Sequence, residues 1–121
     1  MQTTAKKLLV VDDEPDILEF LQIILEDEGY EVVISEKGEY LEQLHNGGLP
    51  HLILVDVLLS GKDGREIVRF LKSQAETKHI PVIMFSAHPS AAETARQAGA
   101  DDFVAKPFDI DFLLARIARY F

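Results

Sequence analysis

The sequence has no cysteine among its 121 residues. A disulfide and a thiolate zinc site are therefore excluded, and the absence of thiols fits a reducing compartment. No apolar run approaches the roughly 20 residues that a helix needs to cross a bilayer. The N-terminal segment Met1–Lys7 is too short and too polar for a secretory signal. We therefore expect a cytoplasmic protein with no membrane partner.

Basic residues are also scarce. The chain has 12 Lys and Arg residues against 21 Asp and Glu residues, which gives a formal net charge of −9. Because an acidic protein repels phosphate backbones, we expect no direct binding of nucleic acid. The four histidines (His45, His51, His79 and His88) are scattered, without the spacing of metal ligands, so a histidine-based metal site is disfavoured.

The length, with 47% apolar and 27% charged residues, indicates one globular domain over residues 1–121. Within it, short apolar runs alternate with helical patterns. The runs are Lys7–Val11, Glu31–Ile34, His51–Val55, Ile80–Phe85 and Asp102–Ala105. They are rich in Val, Ile and Leu and mostly continuous, as is typical of parallel strands that are covered on both faces.

Five helical patterns lie between and after these runs. The first has apolar residues with helical spacing, a proline in its first turn and a glycine past its end: Ile17, Phe20, Leu21 and Ile24, with Pro15 and Gly29. The others are marked by Tyr40, Leu41 and Leu44; by Ile67, Val68 and Leu71 after Gly64; by Ser90–Ala98; and by Asp109 to Tyr120, with Ile110, Leu113, Leu114 and Ile117 turned inward.

The alternation predicts an α/β fold of the (βα)5 type. Right-handed crossovers then give a doubly wound, five-stranded parallel sheet with helices on both faces. We expect the flavodoxin-like strand order 2-1-3-4-5. In such sheets, ligands bind beyond the carboxyl ends of the strands, at the switch point between strands 1 and 3.

Polar residues stand at those carboxyl ends. Asp12 and Asp13 follow strand 1, Asp56 follows strand 3, Ser86 follows strand 4, and Lys106 follows strand 5. Taken alone, each has an ordinary explanation as a helix cap, a turn residue, a loop residue or a solvated lysine. Together they would meet in one cleft, and this convergence indicates a functional site.

The carboxylates of this cleft would repel one another. Two of them about 4 Å apart repel by roughly 4 kcal/mol at an effective dielectric constant of about 20. Either one or more carboxylates stay protonated, or a cation lies among them. An all-oxygen site favours Mg²⁺, Mn²⁺ or Ca²⁺, and Mg²⁺ typically combines one or two carboxylates with waters and a phosphate.

The same residues suit phosphoryl transfer. Asp56 is a possible nucleophile toward phosphorus. A transferring phosphoryl group needs its charge neutralised by a metal and a lysine, together with a hydrogen-bond donor, and Lys106 and Ser86 supply the last two. Phe103 lies three residues before Lys106, so strand periodicity directs it to the opposite face, against the helices.

Four segments carry a specific resemblance: "LLVVDDEPDI", "LILVDVLLSGKDG", "PVIMFSA" and "GADDFVAKPF". In this order and spacing, the chain resembles the response-regulator receiver domains, the CheY-like proteins of two-component signalling, from about Lys6 to Tyr120. The resemblance implies that Asp56 accepts a phosphoryl group from a histidine kinase or a histidine phosphotransfer protein. It implies no other enzymatic activity than Mg²⁺-dependent self-phosphorylation and autodephosphorylation.

The resemblance also assigns the remaining roles. Asp13, Asp56 and the backbone carbonyl of Leu58 would bind Mg²⁺, or Mn²⁺ in its place, with Asp12 acting through a metal-bound water. Lys106 would pair with the carboxylate and then with the phosphoryl oxygens. Ser86 and Phe103 would form the switch, read out by an unknown protein target on the face of the fourth helix, fifth strand and fifth helix. The peptide bond before Pro107 would be cis.

Some positions depart from the family pattern. Ser60 stands where proline is usual, which implies a less rigid loop, and Phe103 replaces the commoner tyrosine. Leu58 and His88 occupy the two positions that tune the lifetime of the acyl phosphate. Glu14 and Asp16 are expected at the positive end of the first helix rather than in the metal site.

Three other functions can be compared with these residues. A haloacid-dehalogenase-like phosphatase would need a general acid two residues after Asp56, where Leu58 stands. A flavodoxin would bind phosphate in its first loop, where Asp12, Asp13 and Glu14 would repel it. A phosphorylation-independent module predicts the loss of Asp56, Lys106 or the acidic pair, and all are present.

The chain ends at Phe121, where the last helix is expected to end, so no output domain is expected in it. A stand-alone regulator and a part of a longer protein both remain open. Residues Phe112, Arg116, Arg119 and Phe121 suggest either a partner or dimer surface or an ordinary amphipathic helix. We expect a monomer or a phosphorylation-dependent dimer.

Overall fold

The structure, a computed structural model, describes residues 5–38, 41, 48–59 and 61–121. Five strands form one sheet: β1 (Lys7–Val11), β2 (Glu31–Ser35), β3 (Leu52–Asp56), β4 (Val82–Ser86) and β5 (Asp102–Ala105). All neighbouring strands are parallel, and their order is β2-β1-β3-β4-β5. The predicted strand order is therefore confirmed, and the switch point lies between β1 and β3.

Helices connect and flank the strands. They are α1 (Pro15–Asp27), α2 (Gly64–Ser73), α3 (Ala92–Ala98) and α4 (Ile110–Ala118). Between β3 and α2, Leu58–Leu59 pairs with Lys62–Asp63 in a short antiparallel hairpin. Within the described part of the chain, no helix has the length and apolar character that crossing a membrane requires.

Two predictions from the sequence lie wholly or mostly outside the described residues. They are the predicted helix marked by Tyr40, Leu41 and Leu44, of which only Leu41 is described, and the departure at Ser60. Leu41 is fully buried.

The core lies on both faces of the sheet. On one face, Leu9, Val11, Ile53 and Val55 pack with residues of α2 and α3, among them Ile67, Leu71 and Ala95. On the other face, Leu8, Val10, Leu52 and Leu54 pack with Leu21 and Leu25 of α1 and with Leu113 and Ile117 of α4. Because successive side chains point to opposite faces and both faces are covered, the strands need continuous apolar runs.

The predicted strand boundaries require small corrections. The predicted strand Glu31–Ile34 extends to Ser35, and the predicted strand His51–Val55 is Leu52–Asp56. The predicted strand Ile80–Phe85 is Val82–Ser86. Pro81 has no N–H to donate to a ladder, although its carbonyl accepts a hydrogen bond from Ile53 N at 3.0 Å, so the strand starts after it.

Two predicted helices are shorter than expected. The segment Ser90–Ala98 begins as a 3₁₀ turn, Pro89–Ala91, and is α-helical only over Ala92–Ala98. The last helix is Ile110–Ala118, because the Asp109 side chain caps it by accepting a hydrogen bond from Phe112 N. Ile110 was predicted to turn inward, but it is 38% exposed and faces a groove between α1 and α4.

Candidate phosphoacceptor site

A cleft of about 340 Å³ opens at the carboxyl ends of the strands, next to the switch point. The residues that line it come from the ends of β1, β3, β4 and β5: Asp13, Glu14, Asp56, Leu58, Ser86, Ala87, His88 and Lys106. The structure thus brings together side chains up to 93 positions apart, since Asp13 and Lys106 share the cleft. The polar residues at the strand ends therefore meet in one cleft, as the sequence predicts.

Lys106 lies at the centre of the charged groups. Its Nζ is 2.7 Å from Asp56 Oδ2 and 2.9 Å from Asp12 Oδ2, and it lies 3.6 Å from Glu14 Oε1. The side chains of Lys106, Asp12 and Asp56 are at most 11% exposed, whereas that of Glu14 is 62% exposed. One ammonium group therefore holds two buried carboxylates from two neighbouring strands.

The backbone of β5 and the ring of Phe85 position this lysine. Lys106 N donates to the carbonyl of Ser86 at 2.8 Å, and the peptide bond between Lys106 and Pro107 is cis, as the family resemblance implies. The Nζ atom lies 4.9 Å from the centre of the Phe85 ring, within the range of a cation–π interaction. The contact between Phe85 and Lys106 is not predicted from the sequence, in which Phe85 is only one residue of an apolar strand.

Asp12 is buried completely. Its Oδ1 accepts a hydrogen bond from Glu14 N at 2.9 Å, and its own N donates to the Ser35 carbonyl at 3.2 Å. Burial raises the pKa of Asp12 from 3.8 to about 6, although the hydrogen bonds from Lys106 and Glu14 oppose this shift. The negative charge on Asp12 is thus costly in the absence of a further cation.

The charge state of Lys106 follows from the same contacts. Burial by itself favours the neutral amine, but the hydrogen bonds to Asp56 and Asp12 outweigh it and raise the pKa of Lys106 above its usual value of 10.5. Lys106 is therefore a fixed positive charge at neutral pH.

Asp56 ends β3 and is 7% exposed. Its Oδ1 accepts a hydrogen bond from Leu58 N at 3.1 Å, while Oδ2 contacts Lys106. Gly64 N donates to the Val57 carbonyl at 2.7 Å, and a Cβ on Gly64 would overlap the Asp56 carbonyl oxygen. Glycine at this position therefore lets α2 start directly against the backbone that carries Asp56.

Four carboxylates form a compact acidic group. Asp12, Asp13, Glu14 and Asp56 each offer an oxygen, and these atoms all lie within 4.8 Å of one another. Lys106 contacts three of these carboxylates, those of Asp12, Asp56 and Glu14, so an excess of negative charge surrounds it. Closely spaced carboxylate oxygens are the ligands of hard divalent cations, so this donor set fits Mg²⁺. Glu14, which the sequence assigns to the end of α1, also belongs to this group.

The other predicted site residues divide between two places. Ser86 is 2% exposed, and its Oγ accepts a hydrogen bond from His88 N at 3.0 Å. Leu58, 54% exposed, and His88 lie at the mouth of the cleft. Phe103 does not line the cleft. It packs against the core beside α2 and α3 and lines a separate apolar groove of about 530 Å³ with Pro89, Ala92 and Phe112.

Known proteins resemble the chain along most of its length. The phosphate regulon transcriptional regulatory protein PhoB of Klebsiella pneumoniae is 37% identical over 115 residues, which are 93% of this chain and 50% of PhoB. The chain thus spans about half the length of the curated relatives it matches. A putative response regulator from Chloroflexus aurantiacus is 34% identical with a TM-score of 0.90, and the match covers 97% of this chain and 98% of that one.

A third similar protein was solved as a complex. The response regulator TrrA of Thermotoga maritima, in complex with Mg²⁺ and BeF, is 31% identical with a TM-score of 0.85, covering 96% of this chain and 99% of TrrA. The protein-family model described as "Response regulator receiver domain" matches residues 8–118 of the chain. The chain therefore belongs to the family of response-regulator receiver domains.

Proposed function

We propose that this receiver domain accepts a phosphoryl group on Asp56, with Mg²⁺, from a histidine kinase or a histidine phosphotransfer protein. Receiver domains are phosphorylated by histidine kinases in two-component systems. The single observation that carries the proposal is the pairing of Lys106 with both Asp56 and Asp12, in a group of four carboxylates whose oxygens lie within 4.8 Å of one another.

In the proposed reaction, an oxygen of the Asp56 carboxylate attacks the phosphorus of a phosphohistidine. The P–O bond to Asp56 forms while the P–N bond to the donor breaks, and the electron pair of that bond stays on the imidazole nitrogen. Lys106 lies against the carboxylate before transfer and stabilises the charge of the phosphoryl oxygens afterwards. Ser86 donates its hydroxyl hydrogen to a phosphoryl oxygen.

The residues that would hold Mg²⁺ are Asp13 and Asp56, with the carbonyl of Leu58 and with Asp12 through a water. The burial of Asp12 and its bond to Lys106 support this ranking, since Asp13 lines the cleft and Asp12 does not. The response regulator TrrA was solved in complex with Mg²⁺ and BeF, which supports Mg²⁺ as the metal. When bound, Mg²⁺ neutralises negative charge on the carboxylates and the phosphoryl group.

The conformational change would be recognised on the surface of α3, β5 and α4. Ser86 would move toward the phosphoryl group, and Phe103 would follow inward from the apolar groove that it lines. The two positions of these side chains would belong to a two-state equilibrium that phosphorylation shifts. A downstream protein would recognise the phosphorylated state, in which the domain is a monomer or a dimer. Leu58 and His88, at the mouth, would tune the lifetime of the phosphoryl group.

The test is incubation of the chain with Mg²⁺ and a small acyl phosphate, followed by intact mass measurement. We expect one phosphate adduct in the parent and none in Asp56→Asn, because Asp56 both accepts a hydrogen bond from Lys106 and lines the cleft. Asp63→Asn is the matched control: Asp63 lies near the cleft but its carboxylate pairs with Arg65, so the adduct should persist. An adduct in Asp56→Asn, or none in the parent with this reagent and with any kinase, would contradict the proposal.

A further inference from the structure

A second groove, of about 630 Å³, lies between α1 and α4. Its lining combines four aliphatic side chains with four carboxylates: Ile23, Ile24, Ile110 and Leu114, and Glu26, Asp27, Glu28 and Asp111. None of these residues lines the phosphoacceptor cleft or the groove at Phe103. The groove is thus a separate feature of the surface.

The aliphatic residues form a floor and a rim. Ile24 and Leu114 are partly buried and pack on the core between the sheet and these helices, so the floor is fixed. Ile23 is 61% exposed and Ile110 is 38% exposed. Phe20, 44% exposed, lies three residues before Ile23 and extends the apolar strip along the same side of α1. Clustered exposed aliphatic side chains of this kind mark interaction surfaces.

The charges at the groove identify the chemistry of its occupant. All four charged residues of the lining are acidic and exposed. A second copy of the chain placed symmetrically here would set these carboxylates against their own equivalents, because a twofold interface pairs the same patch with itself. Opposed like charges disfavour that arrangement. A partner with apolar side chains flanked by lysine or arginine would satisfy both the strip and the carboxylates.

We propose that the groove between α1 and α4 binds a basic amphipathic helix of another protein. The shape suits this occupant, since an amphipathic helix lays its apolar side chains into a groove and its flanking charges on the rim. None of the lining residues belongs to the cleft at Asp56, so the proposal does not rest on the function proposed above.

The probe is a synthetic helical peptide of about 20 residues with leucine and lysine in an amphipathic repeat. A peptide of the same composition in scrambled order is the first control, and a leucine and glutamate peptide is the second. Binding to the full chain is measured by titration calorimetry, and the contact surface by amide chemical shifts. We expect shifts at the C-terminal half of α1 and at α4, with the amphipathic basic peptide alone.

Variants locate the binding. Ile23→Asp should weaken binding at least about tenfold, because it places a charge where an isoleucine would be buried. The control Phe70→Asp changes another exposed apolar side chain, 41% accessible, on α2 and should bind like the parent. The double variant Glu26→Lys with Asp111→Lys should lose the basic peptide and gain the glutamate peptide, while Glu76→Lys should do neither.

These changes affect exposed side chains, and thermal unfolding and phosphate adduct formation measured in parallel should match the parent. Equal binding of the scrambled peptide, equal weakening by Phe70→Asp, or no binding of the amphipathic peptide up to about 1 mM would overturn the proposal. So would self-association of the parent that Ile23→Asp abolishes, because the occupant would then be a second copy.

Discussion

Two lysines, one at each end of the sheet, hold aspartates with similar distances but in different surroundings. Lys106 Nζ lies 2.7 Å from Asp56 at the carboxyl ends of the strands. Lys72 Nζ lies 2.9 Å from Asp101, which precedes β5 at the opposite end. Geometry alone does not distinguish these pairs, so their roles must follow from their other partners.

The Lys72 cluster is balanced in charge. Lys72 Nζ donates to the carbonyls of Ile80 and Lys78 and to Asp101 Oδ2, which also accepts from Val82 N. One cation and one carboxylate share neutral partners, and the contacts tie α2 to the starts of β4 and β5. This is an arrangement that stabilises the fold without needing a further ion.

The Lys106 cluster is unbalanced. Lys106 contacts three carboxylates, those of Asp12, Asp56 and Glu14. Two of them, Asp12 and Asp56, are buried and share this one cation, and such an arrangement costs stability unless another cation binds. The comparison teaches that charge balance, rather than the presence of an ion pair, distinguishes the two clusters of this molecule.

The largest expected difference comes from replacing each lysine by methionine. Lys106→Met removes the cation that faces Asp56, so adduct formation with acyl phosphate and Mg²⁺ should slow by at least about 100-fold. Lys72→Met should leave the rate near that of the parent and lower the free energy of unfolding by about 1 to 2 kcal/mol, because Asp101 is partly exposed. Intact mass measurement gives the initial rate of adduct formation, and urea unfolding gives the free energy of unfolding. Equal slowing by the two substitutions would remove the distinction.

A second difference concerns pH in metal-free buffer. The pKa of Asp12 is raised from 3.8 to about 6, so its contribution to stability is complete below pH 3.8 and is lost as the pH rises through about 6. This shift corresponds to at most about 3 kcal/mol. Asp12→Asn should lose that part of the pH dependence, whereas Asp101→Asn should keep it. Urea unfolding from pH 4 to 8 checks this; parallel curves for the parent and Asp12→Asn would contradict it.

The smallest expected difference concerns two buried hydroxyls. Ser86 Oγ lies in the cleft, whereas Thr77 Oγ1 donates to the Leu71 carbonyl at 2.7 Å near the Lys72 cluster. Ser86→Ala should slow adduct formation roughly tenfold and change stability little. Thr77→Val should lower the free energy of unfolding by about 1 kcal/mol and leave the rate unchanged. The same two assays measure these effects. Slower adduct formation in Thr77→Val together with lower stability in Ser86→Ala would contradict the comparison.

The meeting of these residues in one cleft is predictable from the sequence because the cleft is built from strand ends. Asp13 is the second residue after β1, Asp56 and Ser86 end β3 and β4, and Lys106 directly follows β5. Parallel strands place their carboxyl ends at one edge. The strand order, set by the alternation of elements and by crossover handedness, is predicted for the same reason. What these residues do chemically stays a prediction that the experiments above address.

Features that depend on packing between distant segments are not visible in the sequence. The position of Phe85 beside Lys106 depends on how β4 and β5 lie together. The burial of Asp12, while Asp13 faces the cleft, depends on the turn after β1. Ile110 has the helical spacing of a core residue, but it lies in the first turn of α4 and lines the groove between α1 and α4.

The central claim is that the unbalanced charge at Lys106 forms a divalent cation site with Asp13 as a direct ligand. Calorimetric titration of Mg²⁺ into the metal-free parent, Asp13→Ala and Glu14→Ala tests it most directly. We predict binding to the parent, at least about tenfold weaker binding to Asp13→Ala, and nearly unchanged binding to Glu14→Ala, whose side chain is 62% exposed. Binding to Asp13→Ala as tight as to the parent, with loss of binding in Glu14→Ala, would contradict the claim.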